Sequence, residues 1–161
     1  MLFVILGSDR ALAKRALDRQ LIKLEATGME TDRIDAASNS FDAIYAAVTA
    51  APFFGSQRVI VLDGMLAQAA SKGGRGTKAK TDSDVSRLVS AIPETTSLIL
   101  FDADLAELNA TLKKQLPNGV SISVNEAPRG STLIDLAQRL AEENGSQLDN
   151  MTARAILDRL F

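Results

Sequence analysis

Apolar residues in this chain follow two alternating patterns. Leu2 to Leu6, Val59 to Leu62 and Leu98 to Phe101 are unbroken apolar runs. Runs this short, without polar alternation, predict strands covered on both faces. The first is read as Leu2–Leu6, the second as Arg58–Asp63 and the third as Ser97–Asp102. Between them apolar positions recur at helical spacing: Ala13, Leu17, Leu21 and Leu24, then Phe41, Ile44, Tyr45 and Val48, then Val85, Leu88, Val89 and Ile92.

Punctuation agrees with this division. Gly7-Ser8-Asp9 offers two N-caps for the first helix and Gly28 a C-terminal stop. Ser40 caps the second helix, which Ala51-Pro52-Phe53-Phe54-Gly55-Ser56 breaks, and Pro93 ends the third. A weakly signalled strand surrounds Arg33-Ile34-Asp35. A short helix over 110–116 is stopped by Pro117-Asn118-Gly119. Val120, Ile122 and Val124 then alternate with Ser121 and Ser123, which predicts an edge strand with one solvated face. From Ser71 to Lys80 the chain is rich in Gly, Lys and Ala without apolar anchors, and reads as a flexible loop. Alternating strands and helices give an α/β fold, a doubly wound and mostly parallel sheet with helices on both faces.

The pattern changes at Ala127-Pro128-Arg129-Gly130. Only helical spacing follows: Leu133, Leu136 and Leu140, then Gly145, then Met151, Ile156, Leu157 and Leu160. The boundary falls between an α/β domain over 1–127 and the opening of an all-helical domain over 128–161. Two helices bury their own apolar faces poorly, so the expectation is a piece of a longer protein.

Composition narrows the chemistry. The 161 residues include no histidine, cysteine or tryptophan. Disulfides, thiolate nucleophiles, imidazole bases and the usual zinc sites are therefore excluded, and a reducing, cytoplasmic setting is expected. Aromatics are 4% against 46% apolar, so the core is built from Ala, Leu, Ile and Val. The 18 basic and 20 acidic residues give a net charge of −2, unlike a free-standing nucleic-acid binder. No apolar run approaches the roughly 20 residues that span a bilayer.

The first strand-turn-helix is where nucleotide-binding folds hold phosphate. Counting from Gly7, the Gly-Lys-Ser/Thr positions of a phosphate loop hold Leu12, Ala13 and Lys14. Gly7, Ser8 and Asp9 thus have the architecture of such a loop without its chemistry. Asp63 ends a strand as a magnesium-binding aspartate would, but Gly64 stands where a catalytic glutamate would follow. Asp102-Ala103-Asp104 ends the next strand, and strand-end carboxylates hold magnesium in many α/β proteins. A phosphotransferase working through an aspartyl nucleophile, however, wants Thr or Val where Ala106 stands.

Phe53-Phe54 holds two of only six phenylalanines. Adjacent side chains in an extended segment point opposite ways, so both can hardly enter the core together: either one is exposed as an anchor for a partner's pocket, or one fills the core while the other lies along the surface. Lys72, Arg75, Lys78 and Lys80 make a small basic cluster with no interleaved aromatic for base stacking, and read as a solvated loop.

The order of these motifs resembles the N-terminal half of the delta subunit family of bacterial DNA polymerase III, a component of the clamp loader. The resemblance rests on Phe3-Val4-Ile5-Leu6-Gly7-Ser8-Asp9 and on Ala50-Ala51-Pro52-Phe53-Phe54-Gly55-Ser56-Gln57-Arg58-Val59-Ile60-Val61-Leu62. It extends through Pro93-Glu94-Thr95-Thr96-Ser97-Leu98-Ile99-Leu100, Leu112-Lys113-Lys114 and Glu142-Glu143-Asn144-Gly145. The chain departs from the family in having Leu136 near a common tryptophan, and in its long polar segment from Ser71 to Asp84.

The resemblance implies an AAA+-like sheet without a functional ATP site, so no cofactor and no catalysis by this chain. It implies that Phe53 and Phe54 wedge into a pocket of the sliding clamp. The implied partners are that clamp and the other loader subunits, with DNA met only in the assembled loader and no membrane. A helical collar domain follows in the family. The competing expectation is a magnesium-dependent phosphotransfer enzyme using Asp63, Asp102 and Asp104. A third is a regulatory relative that still binds nucleotide at the first turn.

Overall fold

The computed structural model describes residues 1–25, 29–52, 57–71 and 77–160. Five strands, β1 (Leu2–Gly7), β2 (Glu30–Asp35), β3 (Arg58–Asp63), β4 (Thr96–Asp102) and β5 (Ser121–Asn125), form one sheet in the order β2-β3-β4-β1-β5. Every pairing is parallel, with Val4 opposite Leu100 and Ile122, and Ile60 opposite Leu98 and Asp32.

The apolar runs are explained by what covers them. Ile5, Val59, Val61, Ile99 and Phe101 pack on one face against Ala13, Leu17 and Leu24 of α1 (Arg10–Glu25). Their neighbours Val4, Leu6, Ile60, Leu62, Leu98 and Leu100 point the other way. There they meet α2 (Phe41–Thr49), α3 (Met65–Ser71), α4 (Thr77–Ser90) and α5 (Ala110–Gln115). Alternate side chains enter separate cores, so each central strand must be apolar at every position.

The edges behave differently. β2 is mostly exposed, which is why its Glu-Thr-Asp-Arg-Ile-Asp sequence signals a strand only weakly. In β5 the expectation of one solvated face is corrected: Ile122 and Val124 are 42% and 47% exposed, so both faces meet solvent. This strand lies beyond the layer of helices that covers Val4 and Leu6.

A second correction concerns residues 71–80. α3 runs to Ser71 and α4 begins at Thr77, and residues 72–76 lie outside the described residues. Val85 and Leu88 are buried against the sheet. Once they nucleate a helix, the Lys and Ala residues ahead of them are strong helix formers that extend it without apolar anchors. Gly28 also lies outside the described residues.

The chain divides into two compact units, residues 1–126 and 127–161. In the second, α6 (Ser131–Glu143) and α7 (Asn150–Leu160) form a hairpin. Gly145 takes a positive φ of 74°, and Ser146 N–H donates to Ala141 carbonyl at 2.9 Å, closing α6. The Asp149 carboxylate starts α7 by accepting from Thr152 N–H at 2.9 Å. Ala153 is buried, but Met151 is 84% exposed, off the apolar stripe expected for it. A pair of helices offers each only one interface, so residues off that seam remain in solvent. No described helix is long and apolar enough to cross a membrane.

Candidate functional site

The carboxyl ends of β1, β3 and β4 lie side by side in the sheet and bring Gly7, Asp63 and Asp102 to one edge. This is where open α/β sheets place ligands. The turn after β1 is closed on itself. Asp9 N–H donates to Asn125 carbonyl at 3.3 Å, and the Asn125 amide donates to Leu6 carbonyl at 2.9 Å. Asp9 then caps α1: its carboxylate accepts from Leu12 N–H at 3.0 Å and its carbonyl from Ala13 N–H at 3.0 Å. Amides that would cradle phosphate are thus turned onto an aspartate, whose negative charge opposes an anion there. Ser8 is exposed beside it.

The strand-end aspartates have separate tasks. Asp102 is 1% exposed, and its carboxylate accepts from Leu66 N–H at 3.1 Å and Ala67 N–H at 2.8 Å, so it caps α3 from the neighbouring strand. Asp104 is exposed and lies 3.7 Å from Arg10. Asp63 lies 3.8 Å from Arg33, which also stands 5.7 Å over the Phe101 ring. Gly64 has φ of 80°, which turns β3 into α3, so a glutamate there would meet a strained backbone. Among the described residues no group of three carboxylates is placed to hold a metal ion. These placements give the magnesium phosphotransfer expectation no support.

Burial pushes the Asp102 carboxyl up to about 7 from its ordinary 3.8, against the opposing pull of the Ala67 and Leu66 amides. Burial also raises Asp63, partly offset by Arg33 and Arg10. A carboxyl whose folded pKa is raised binds more protons when folded, so its contribution to stability is greatest at low pH. It declines as pH climbs from about 4 through about 7. Denaturant titrations of the chain at pH 5 and pH 8 should show an Asp102-dependent loss on the order of 2–4 kcal/mol. Asp102→Asn should flatten that dependence; an equally steep profile in this variant would assign the titration elsewhere.

Phe53 and Phe54 lie outside the described residues, but both flanks of their segment are described. α2 ends at Thr49, Ala51 is exposed and Pro52 half-buried, and β3 begins at Arg58. The Arg58 guanidinium reaches back to the end of α2. It donates to the Ala47 carbonyl, to Val48 carbonyl at 3.4 Å and to Ala50 carbonyl at 2.7 Å. A cation there meets the negative end of the helix dipole and carbonyls without intrahelical partners. Arg87 of α4 adds a second restraint on α2, 5.5 Å from the Phe41 ring and 4.6 Å from the Tyr45 ring. Ser40 caps the other end by accepting from Ala43 N–H.

Arg58 and Asn125 are the residues that reasoning on the sequence left without a role. Arg58 had a signal, since it closes the Phe-Phe-Gly-Ser-x-Arg stretch. Asn125 had none, because its task depends on β5 lying beside β1.

A parallel sheet of this order, with helices on both faces, is an α/β fold of AAA+-like topology. A family model described as DNA polymerase III, delta subunit, matches residues 3–124. The chain belongs to that family. Among solved structures it is similar to the DNA clamp loader delta protein of Bacillus subtilis, with a TM-score of 0.61 and 12% identity. That match covers 97% of this chain and 47% of the other, so the chain spans about half the length of the structure it resembles. No curated protein matches it.

Proposed function

We propose that this chain supplies the clamp-binding part of a clamp-loader delta subunit, and that Phe53 and Phe54 bury in a surface pocket of the sliding clamp to stabilise one opened interface. The family match over residues 3–124 carries this reading. The α2–Arg58 arrangement supports it, because it holds both flanks of the Phe segment on the rigid α/β unit. The action is mechanical. Asp9 occupies the anion position of the first turn, so ATP is bound and hydrolysed by neighbouring loader subunits. This chain needs no cofactor and meets DNA only within the assembled, cytoplasmic loader. Residues 1–127 form the AAA+-like domain and residues 128–161 open a helical lid.

Burying two phenylalanine side chains contributes roughly 3–6 kcal/mol before the costs of association. The test is calorimetric titration against the sliding clamp. Phe53→Ala with Phe54→Ala should weaken binding by on the order of a hundredfold in protein that circular dichroism shows to be folded. Equal affinity in the double variant would remove the wedge assignment.

A further inference from the structure

The open edge of β5 has the character of a second docking site. Among the described residues β5 pairs only with β1, so one side of its backbone faces away from the sheet. The Asn125 carbonyl accepts from Asp9 N–H on the β1 side. Backbone direction alternates along a strand, so Ser121 and Ser123 also bond toward β1. The N–H and C=O groups of Ile122 and Val124 therefore face the open edge. An edge of this kind is a template for a further strand.

The two faces of the edge differ in chemistry. Ile122 and Val124 share the face of Val4 and Leu6 and are about half exposed. On the opposite face Ser121 and Ser123 line a groove of about 220 Å³ with Arg19, Gln20 and Lys23 of α1. No carboxylate lines that groove among the described residues. A strand added to β5 would thus present alternate residues to an apolar strip and to a groove of mixed lining. Phe3, Ile5 and Ala16 lie at its base, two serine hydroxyls at its wall and the Lys23 ammonium at its rim.

We infer that β5 docks an extended segment of a partner protein in which apolar and acidic residues alternate. Backbone bonds to Ile122 and Val124 supply the pairing, the apolar residues cover their side chains, and the acidic ones enter the groove beside Lys23. Period-two alternation places both sets on their correct faces at once, a match that neither a helix nor an evenly charged polymer makes. In the sheet β5 is separated from β3 by β1 and β4, and the test does not depend on clamp binding.

The test is fluorescence anisotropy of the full chain with a labelled eight-residue peptide alternating Val and Glu. A Val/Lys peptide and a single-stranded oligonucleotide are the comparison arms. Saturable binding of the acidic peptide, at least tenfold tighter than the lysine peptide, is expected. Val124→Pro removes an outward N–H and should weaken binding at least tenfold. Lys23→Glu lies on an exposed helix position and should weaken it about tenfold with melting unchanged, whatever the proline variant does to folding. Equal binding of both peptides, or no effect of Lys23→Glu, would overturn the inference. Oligonucleotide binding that displaces the acidic peptide would assign the groove to phosphate instead.

Discussion

Alanine at position 7 is expected to be among the most damaging single substitutions in the α/β unit. A Cβ there would lie 2.7 Å from the Asn125 carbonyl oxygen and 2.9 Å from the Ala13 Cβ. Neither neighbour is the free end of a flexible side chain. The first belongs to the backbone of β5 and the second to the buried face of α1. Relief requires α1 or β5 to move away from β1, which breaks the Asp9–Asn125 and Asn125–Leu6 bonds that close the turn. Overpacking of this kind costs about 2–4 kcal/mol, or roughly 4–16 °C in melting temperature for a unit of this size. Thermal unfolding by circular dichroism measures it directly. A melting temperature within about 2 °C of the parent would mean that β1 and β5 stand further apart at this turn.

Arg58→Ala is the second. The guanidinium serves the carbonyls of Ala47, Val48 and Ala50 together, at a helix end that is partly buried. Removing it leaves those acceptors unmet and withdraws a cation from the helix dipole, at a cost of about 2–3 kcal/mol. Lysine carries the charge but not the planar fork, so Arg58→Lys should recover less than half of the loss. Hydrogen exchange should locate the effect, with faster exchange at the last turn of α2 and unchanged rates in β1 and β4. If the proposed function holds, clamp affinity should fall in Arg58→Ala by about tenfold, through slack at one described flank of the segment. If affinity falls in the double Phe variant but not in Arg58→Ala, the phenylalanines dock without help from α2. If exchange at α2 is unchanged, the guanidinium bonds are not maintained in solution.

These two residues show how unevenly the structure was legible in the sequence. Gly7 is visible in the sequence as the glycine of a strand-to-helix turn. What makes it indispensable is contact with Asn125, more than a hundred positions away, which no local pattern encodes. Arg58 was visible within a recognisable stretch, yet its partners are backbone carbonyls, and those leave no mark on residue identity. Asp102 looked like half of an acidic pair with Asp104. The fold separates them completely, burying one as the cap of α3 and leaving the other in solvent beside Arg10.

The sequence by itself determined the order and type of most elements. β1, β3 and β4 must be apolar on both faces, and α1, α2 and α4 carry stripes of helical period, so local pattern and burial report the same thing. It also determined that thiol and imidazole chemistry are absent, since the residues are. Tertiary structure alone decided the rest: that β1 lies between β4 and β5, that β5 leaves Ile122 and Val124 uncovered, and that residues 77–84 are helical. Only the fold showed that each charged candidate at the strand ends is engaged with a helix end or a counter-ion. The physical reason is one of range. Secondary structure follows from periodicity within a few residues, whereas hydrogen-bond partners, burial and neighbouring charge are set by segments that meet only when the sheet assembles.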